Sequence, residues 1–169
     1  MALLNPSHLL EQAEQLVAPP AGGAPRQADL RRAISNAYYA VFHTVISRAA
    51  DDFIGKTQRQ NPRYALVYRS IDHRTLRELC KEIQKPNPTA KLRPYVPKSG
   101  LGADLRALAA AVVDLQEKRH LADYDPLYRV RLSDASLAVA TARTAIQRFD
   151  AANRSARKMF LSLLAFSPR

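Results

Sequence analysis

Two stretches of the sequence carry side chains that can bind or activate a phosphate. In the first, Arg119-His-Leu-Ala-Asp-Tyr-Asp125, a guanidinium precedes two carboxylates and a phenol. The second is a helical stretch, residues 26–54, with a histidine at position 43. A guanidinium can hold a phosphate through paired N–H groups, and an imidazole can exchange a proton near neutral pH. Arg119 and His43 are therefore the candidate catalytic residues.

The helical stretch around His43 also presents a polar face. Side chains on a helix advance by about 100° per residue, so residues spaced by three and four fall together. We expect this face to meet Arg119 and the turn that follows it, and to form a ligand site there. The predicted ligand-binding residues are Arg32, Asn36 and Tyr39 on the helix, with Asp123, Tyr124 and Asp125 at the turn.

A purely structural role explains the same residues. Arg119 and Asp123 are spaced i, i+4, so they can form an ion pair that closes a helix end. Tyr124 would then cover the core, and Asp125 would shape the turn. A histidine such as His43, close to tyrosine and asparagine, often belongs to a buried hydrogen-bond network. The sequence leaves both interpretations open.

Helical periodicity dominates the rest of the chain. Residues 26–54 repeat apolar side chains at spacings of three and four, which indicates a helix with a wide buried face. Similar stripes precede and follow it, and no strand pattern is convincing. We predict an all-α, antiparallel bundle of four to five helices. The predicted divisions are an N-terminal helix and linker (1–25), the bundle (26–152) and a basic, apolar C-terminal tail (153–169).

Local signals predict where several elements begin and end. Four prolines and four basic residues between positions 85 and 100 predict a mobile basic loop without regular structure. A helix over residues 101–121 should stop before Pro126, because proline restricts the preceding residue. Ser133 is the predicted N-cap of the last long helix. The tail could extend that helix, pack on the bundle or contact a partner.

Composition limits the classes of function. The chain has 169 residues and a formal net charge of +11, which favours a polyanionic partner such as RNA or a nucleotide. The base composition of a genome can also produce proteins rich in arginine and alanine, without any polyanionic partner. The single Cys80 excludes an internal disulfide, and no apolar run is long enough for a membrane span. We expect a cytoplasmic protein, with no metal site and no cofactor motif.

Two sequence blocks resemble a known family. Ser35-Asn-Ala-Tyr-Tyr-Ala-Val-Phe-His43 and Arg119-His-Leu-Ala-Asp-Tyr-Asp125 are similar to blocks of HEPN-domain proteins, in an uncharacterised bacterial and archaeal branch. The resemblance covers roughly residues 28–149. It implies a helical bundle that often dimerises and binds RNA or nucleotides. Many members are metal-independent ribonucleases of toxin–antitoxin or defence systems.

One position departs from the family pattern. The family's usual motif places a histidine four to six residues after the arginine, and Tyr124 occupies that place here. His120 is adjacent to Arg119 and points about 100° away on a helix. We therefore expect an RNA- or nucleotide-binding protein, and the resemblance implies a homodimer. The alternatives are a protein-interaction module with a nucleotidyltransferase-like partner, and a ribonuclease that uses His43.

Overall fold

A computed structural model describes residues 4–18 and 23–168, so most of the predicted linker after the first helix lies outside the described residues. The described chain contains seven α-helices, a short 3-10 helix and no strand, which confirms the predicted all-α bundle. No described helix is both long and apolar enough to cross a bilayer. The helices are α1 (Pro6–Val17), α2 (Gln27–Phe53), α3 (Pro62–Ser70), α4 (His73–Gln84), α5 (Ala103–Tyr124), α6 (Leu132–Ala151) and α7 (Arg154–Ala165), and the 3-10 helix is Lys56–Gln58.

The long helix α2 lies at the centre of the bundle and packs against α1, α5 and α6. Its apolar arc is buried except at Phe53, which is partly buried, and Tyr38 and Val41 are among its core side chains. Small residues, including Ala33 and Ala37, are also completely buried. Small side chains allow neighbouring helices to approach closely. Because helices pack on several sides of α2, its polar side chains face different neighbouring helices rather than one solvated surface.

Contacts at both ends of α2 fix the direction of α6. At the start of α2, the Gln27 side chain donates to the Val130 carbonyl at 2.7 Å and accepts from the Val130 N–H at 3.0 Å. Near the end of α2, Arg48 binds Asp150, close to the end of α6. The two helices therefore run parallel.

The terminal helices belong to the same core as the central ones. Asn5 caps α1 and Asn153 caps α7, each by accepting backbone N–H groups through its side chain. Ala13 of α1 and Phe160 of α7 are both completely buried within one apolar cluster. The C-terminal tail therefore packs on the bundle, which is one of the three arrangements that its sequence allowed.

Two predicted helix ends require correction. Helix α5 continues to Tyr124, so Asp123 and Tyr124 are helical and only Asp125 lies in the turn. Because Tyr124 projects from the last helical turn, it is exposed and does not cover the core as predicted. Ser133 is not the N-cap of α6. That position belongs to Arg131, whose N–H reaches the Asp134 carboxylate at 3.4 Å.

The proline-rich segment 85–100 is anchored, contrary to the predicted mobile loop. It consists of turns, as its prolines require. However, the side chains of Leu92 and Val96 are buried in the main core. The Thr89 carbonyl accepts the N–H of Leu92 at 2.9 Å and that of Arg93 at 3.1 Å. Apolar residues between the prolines thus hold this segment against the core, although its composition is typical of a mobile loop.

Candidate functional site

Arg119 lies where α5 crosses α2, and its guanidinium joins the two helices. Its Nη2 donates to the Tyr39 hydroxyl at 2.6 Å, and its Nε lies 2.9 Å from the Asp123 carboxylate. The side chain is only 13% exposed. Burial alone would lower the pKa of Arg119, but the hydrogen bond to Tyr39 and the charge of Asp123 raise it. The guanidinium is therefore a fixed and permanently charged group.

Three tyrosine rings surround this guanidinium. The Arg119 Cζ atom lies 5.8 Å from the ring centre of Tyr38, 5.2 Å from that of Tyr39 and 5.6 Å from that of Tyr124. Each ring can attract the cation through its negative face. Tyr38 is buried, Tyr39 is half-buried and Tyr124 is exposed, so the rings lead from the core to the surface.

A second set of contacts holds the end of α5 against α2. The Ser35 hydroxyl donates to the Asp123 carboxylate, which orients the partner of Arg119. The Arg31 guanidinium donates to the backbone carbonyls of Asp125 and Tyr128, in the latter case from Nε at 3.1 Å. Because these carbonyls follow the last turn of α5, Arg31 fixes the corner of the chain after the helix.

Arg119 also lines a cleft of about 420 Å³ between α4 and α5. Arg77 enters the lining from α4, and Glu117 is its one carboxylate. Two guanidinium groups beside one carboxylate give the lining a net positive charge, which favours binding of an anion. The lining consists of Arg77, Gln116, Glu117, Arg119, His120 and Leu121.

Two polar atoms in the wall of this cleft have no hydrogen-bond partner within the described residues. One is Arg119 Nε, whose N–H is not aligned with the nearby carboxylate, and the other is Gln116 Oε1. The amide nitrogen of Gln116 donates to the His73 carbonyl at 3.3 Å, which holds the oxygen in place. Buried groups without partners cost free energy. Both atoms are buried but belong to residues that line the cleft, so a ligand would reach them only after a side-chain rotation.

Two imidazoles lie near Arg119 without a direct hydrogen bond or ion pair to it among the described side chains. His43 Nδ1 is 2.7 Å from the Tyr68 hydroxyl, and His73 Nδ1 is 2.8 Å from the Tyr38 hydroxyl. The Tyr39 ring centre lies 6.0 Å from that of His43 and 5.8 Å from that of His73. Burial lowers the pKa of both histidines, and each also lies close to a positive or titratable neighbour. Both rings are therefore neutral at pH 7.

The structure brings some of the predicted site residues together and separates others. Tyr39, Asp123 and Tyr124 all contact Arg119, and His43 reaches it only through Tyr39. The antiparallel crossing of α2 and α5 is what joins them, because Ser35 pairs with Asp123 and Tyr39 with Arg119.

Among the predicted site residues, only Arg119 lines the cleft, and three others make no contact with Arg119 among the described side chains. Asn36 faces α1, where its side-chain amide donates to Gln12 at 2.8 Å. Arg32 is exposed, and the neighbouring Arg31 binds the corner instead. Asp125 shapes the turn by accepting the Leu127 N–H at 2.8 Å. The predicted polar face is thus divided between α1, α3, which takes His43, α5 and solvent.

Sequence reasoning missed three residues of this region: Arg77, Gln116 and His73. Gln116 was detectable, because it precedes Arg119 by three positions and so shares its face of the helix. His73 and Arg77 are placed by the packing of α4 on α5, for which the sequence has no local signal.

Comparison with known proteins does not assign the chain to a family. The chain matches no protein-family model, no curated protein and no solved structure. The resemblance of its two sequence blocks to HEPN-domain proteins stays a prediction, and the function has to be inferred from the geometry of the cleft.

Proposed function

We propose that the cleft between α4 and α5 binds a phosphate and the adjoining ribose of an RNA strand or nucleotide. The observation that carries the proposal is a pair of buried atoms that make no hydrogen bond among the described residues. They are the acceptor Gln116 Oε1 and the donor Arg119 Nε, which is ion-paired with Asp123 but not aligned with it. A ribonucleotide offers partners for both, since its phosphate oxygens accept hydrogen bonds and its ribose hydroxyls donate them. An anion without a hydroxyl group, such as sulfate, would satisfy only the donor.

The charges around the cleft favour the same ligand. Arg77 lies in the lining with Arg119, and its nearest carboxylate, that of Glu78, is 4.0 Å away. Exposed pairs at such a distance stabilise little, so the guanidinium remains available for a phosphate. The net charge of +11 would also attract an RNA backbone over longer distances. Binding should accordingly weaken as salt is added.

Binding has more support than cleavage. A ribonuclease mechanism needs a proton acceptor close to the ribose hydroxyl that attacks the phosphate. His43 Nδ1 is instead paired with the Tyr68 hydroxyl, and Tyr39 lies between this imidazole and Arg119. The ribonuclease alternative therefore stays a prediction from family resemblance. The same holds for a HEPN-type role in toxin–antitoxin or defence systems, a nucleotidyltransferase-like partner, a homodimer and a cytoplasmic location.

RNA binding by two arginine variants tests this proposal. Arg119→Ala should weaken binding of fluorescein-labelled single-stranded RNA by about 10- to 150-fold, since hydrogen bonds to charged groups contribute roughly 1.5–3 kcal/mol. The slope of log affinity against log salt should fall by about 0.7. Arg106→Ala is the matched control, because Arg106 is exposed on the same helix and lies outside the cleft. Equal losses from both variants would show only general charge attraction.

A further inference from the structure

We infer that Tyr124 is a stacking platform for an unpaired base, so the ligand of the cleft is single-stranded RNA. This inference rests on the proposed function and specifies its substrate class. Tyr124 is 65% exposed, although an aromatic ring normally contributes to a core or an interface. Its hydroxyl makes no hydrogen bond within the described part of the chain, so no polar contact accounts for its position at the surface.

The surroundings of Tyr124 hold the ring beside the phosphate-binding group. The Arg119 guanidinium lies over the ring, with Cζ 5.6 Å from its centre. His120, one helical turn earlier, places its own ring centre 5.1 Å away. Because the cation lies against the ring and the Tyr124 residue is mostly exposed, part of the ring is left for a planar ligand. A guanidinium beneath the ring also reduces its freedom to move.

The order of groups along α5 fits a phosphate that joins two nucleotides of a strand. Gln116, Arg119 and His120 line the cleft, and Tyr124 follows His120 at the next turn of α5. Each phosphate of a strand lies between two riboses, and each ribose carries a base. A phosphate at Arg119 can therefore have one nucleotide on the Tyr124 side, with its base against that ring, and the ribose of the adjoining nucleotide near Gln116. Bases stack on aromatic side chains whatever their sequence, because every base has a π-face.

Duplex RNA does not fit this arrangement. Its bases are stacked inside the helix, and their faces are inaccessible to a side chain without unpairing. The cleft should consequently prefer single strands over duplexes of the same length and charge. A free mononucleotide shares the chemistry but lacks the further phosphates of a strand, so its binding should be weaker and less dependent on salt.

Binding of three probes to the full chain tests the platform. The probes are a fluorescein-labelled oligouridylate, the same strand with abasic riboses, and a blunt RNA duplex. Tyr124→Leu should weaken binding of the oligouridylate by roughly 5- to 150-fold, because stacking contributes about 1–3 kcal/mol per base. It should leave the abasic strand unaffected. Tyr124→Phe should bind like wild type, and Tyr95→Leu controls for loss of an exposed tyrosine elsewhere.

Each outcome decides between distinct explanations. Loss confined to the base-carrying strand supports the platform. Equal loss on the intact and abasic strands would mean that Tyr124 merely positions Arg119, and no loss on either would remove Tyr124 from the site; both results overturn the inference. If Arg119→Ala leaves binding of every probe unchanged, the proposed function itself fails. Binding that depends on Arg119 but is equal for duplex and single strand would overturn the inference alone.

Discussion

Two arginine clusters packed against α2 show how similar residues can serve different purposes. At the far end of α2, the buried Asp51 accepts hydrogen bonds from both Nε and Nη2 of Arg59, at 2.9 and 2.7 Å. The same carboxylate accepts the Tyr64 hydroxyl at 3.0 Å. Arg48 binds Asp150 in the same two-point manner, at 3.1 and 3.3 Å. The guanidinium groups of this cluster are directed at carboxylates.

The cluster around Arg119 is built differently. Arg119 has one carboxylate nearby, Asp123, and otherwise contacts tyrosine rings and a hydroxyl. Both clusters border a cleft of similar size, about 470 Å³ near Arg59 and about 420 Å³ near Arg119. At the first cleft, the buried side-chain atom without a partner is the neutral hydroxyl of Ser47. An arginine in a cleft is therefore weak evidence for a ligand, and unpartnered charged or amide groups are stronger evidence.

Removal of the Asp51 carboxylate should have the largest effect on stability. The side chain of Asp51 is only 5% exposed, and Asp51→Asn would leave the buried Tyr64 hydroxyl and one side of Arg59 poorly paired. We expect the free energy of unfolding in urea to fall by about 2 kcal/mol, since Arg59 is partly hydrated. RNA affinity should not change. A fall in RNA affinity with stability intact would contradict the structural role of this cluster.

The two regions should lose stability in different pH ranges. Burial lowers the pKa of His43 and His73 in the folded chain. The unfolded chain therefore takes up protons first as the pH falls below about 6.5, and the folded state loses stability there. Burial would raise the pKa of Asp51, but hydrogen bonds from Arg59 and Tyr64 lower it, so its stabilisation is lost only below about pH 4.

Urea unfolding at about pH 7 and pH 5 can measure the histidine contribution separately. The midpoint should fall between these two conditions in the wild-type chain. The fall should be smaller in a His43→Gln, His73→Gln double variant, while Asp51→Asn should retain it. A wild-type midpoint that rises towards pH 5 would show that these imidazoles are stabilised in the charged form.

The smallest expected effect concerns the carboxylate in the cleft lining. Glu117→Gln removes the one negative group among the lining residues, so a bound phosphate loses a repulsive neighbour. We expect single-stranded RNA to bind roughly two- to five-fold more tightly at low salt, and the gain to disappear at high salt. Glu11→Gln on α1 is the matched control, because Glu11 is exposed and lies outside both clefts. Equal gains would indicate a general change in charge.

Local sequence patterns predicted the contacts that depend on helical spacing. The periodicity of α2 gave its core face, and the i, i+4 spacing gave the Arg119–Asp123 pair that the structure contains. A helical projection does not tell which neighbour each polar position will meet. Asn36 and Tyr39 were therefore assigned to one surface, although α1 takes the first and α5 the second.

The rest of the site depends on contacts distant in sequence. Arg77 and His73 reach it because α4 packs on α5, and local patterns cannot supply that packing. The exposure of Tyr124 followed from the end of α5, which lies three residues later than predicted. Helix ends are hard to place from sequence, and a shift of one turn decides whether a ring faces the core or the solvent.

The most direct test follows the arginine Nε–Hε resonances by NMR during titration with single-stranded RNA. The Arg119 resonance should shift, because its N–H is not aligned with the Asp123 carboxylate 2.9 Å from Nε in the free protein and gains a phosphate oxygen in the complex. The resonances of Arg48 and Arg59, whose N–H groups already bind carboxylates, should stay in place. Shifts at Arg48 or Arg59 with Arg119 unchanged would contradict the assignment of the ligand site to the cleft between α4 and α5.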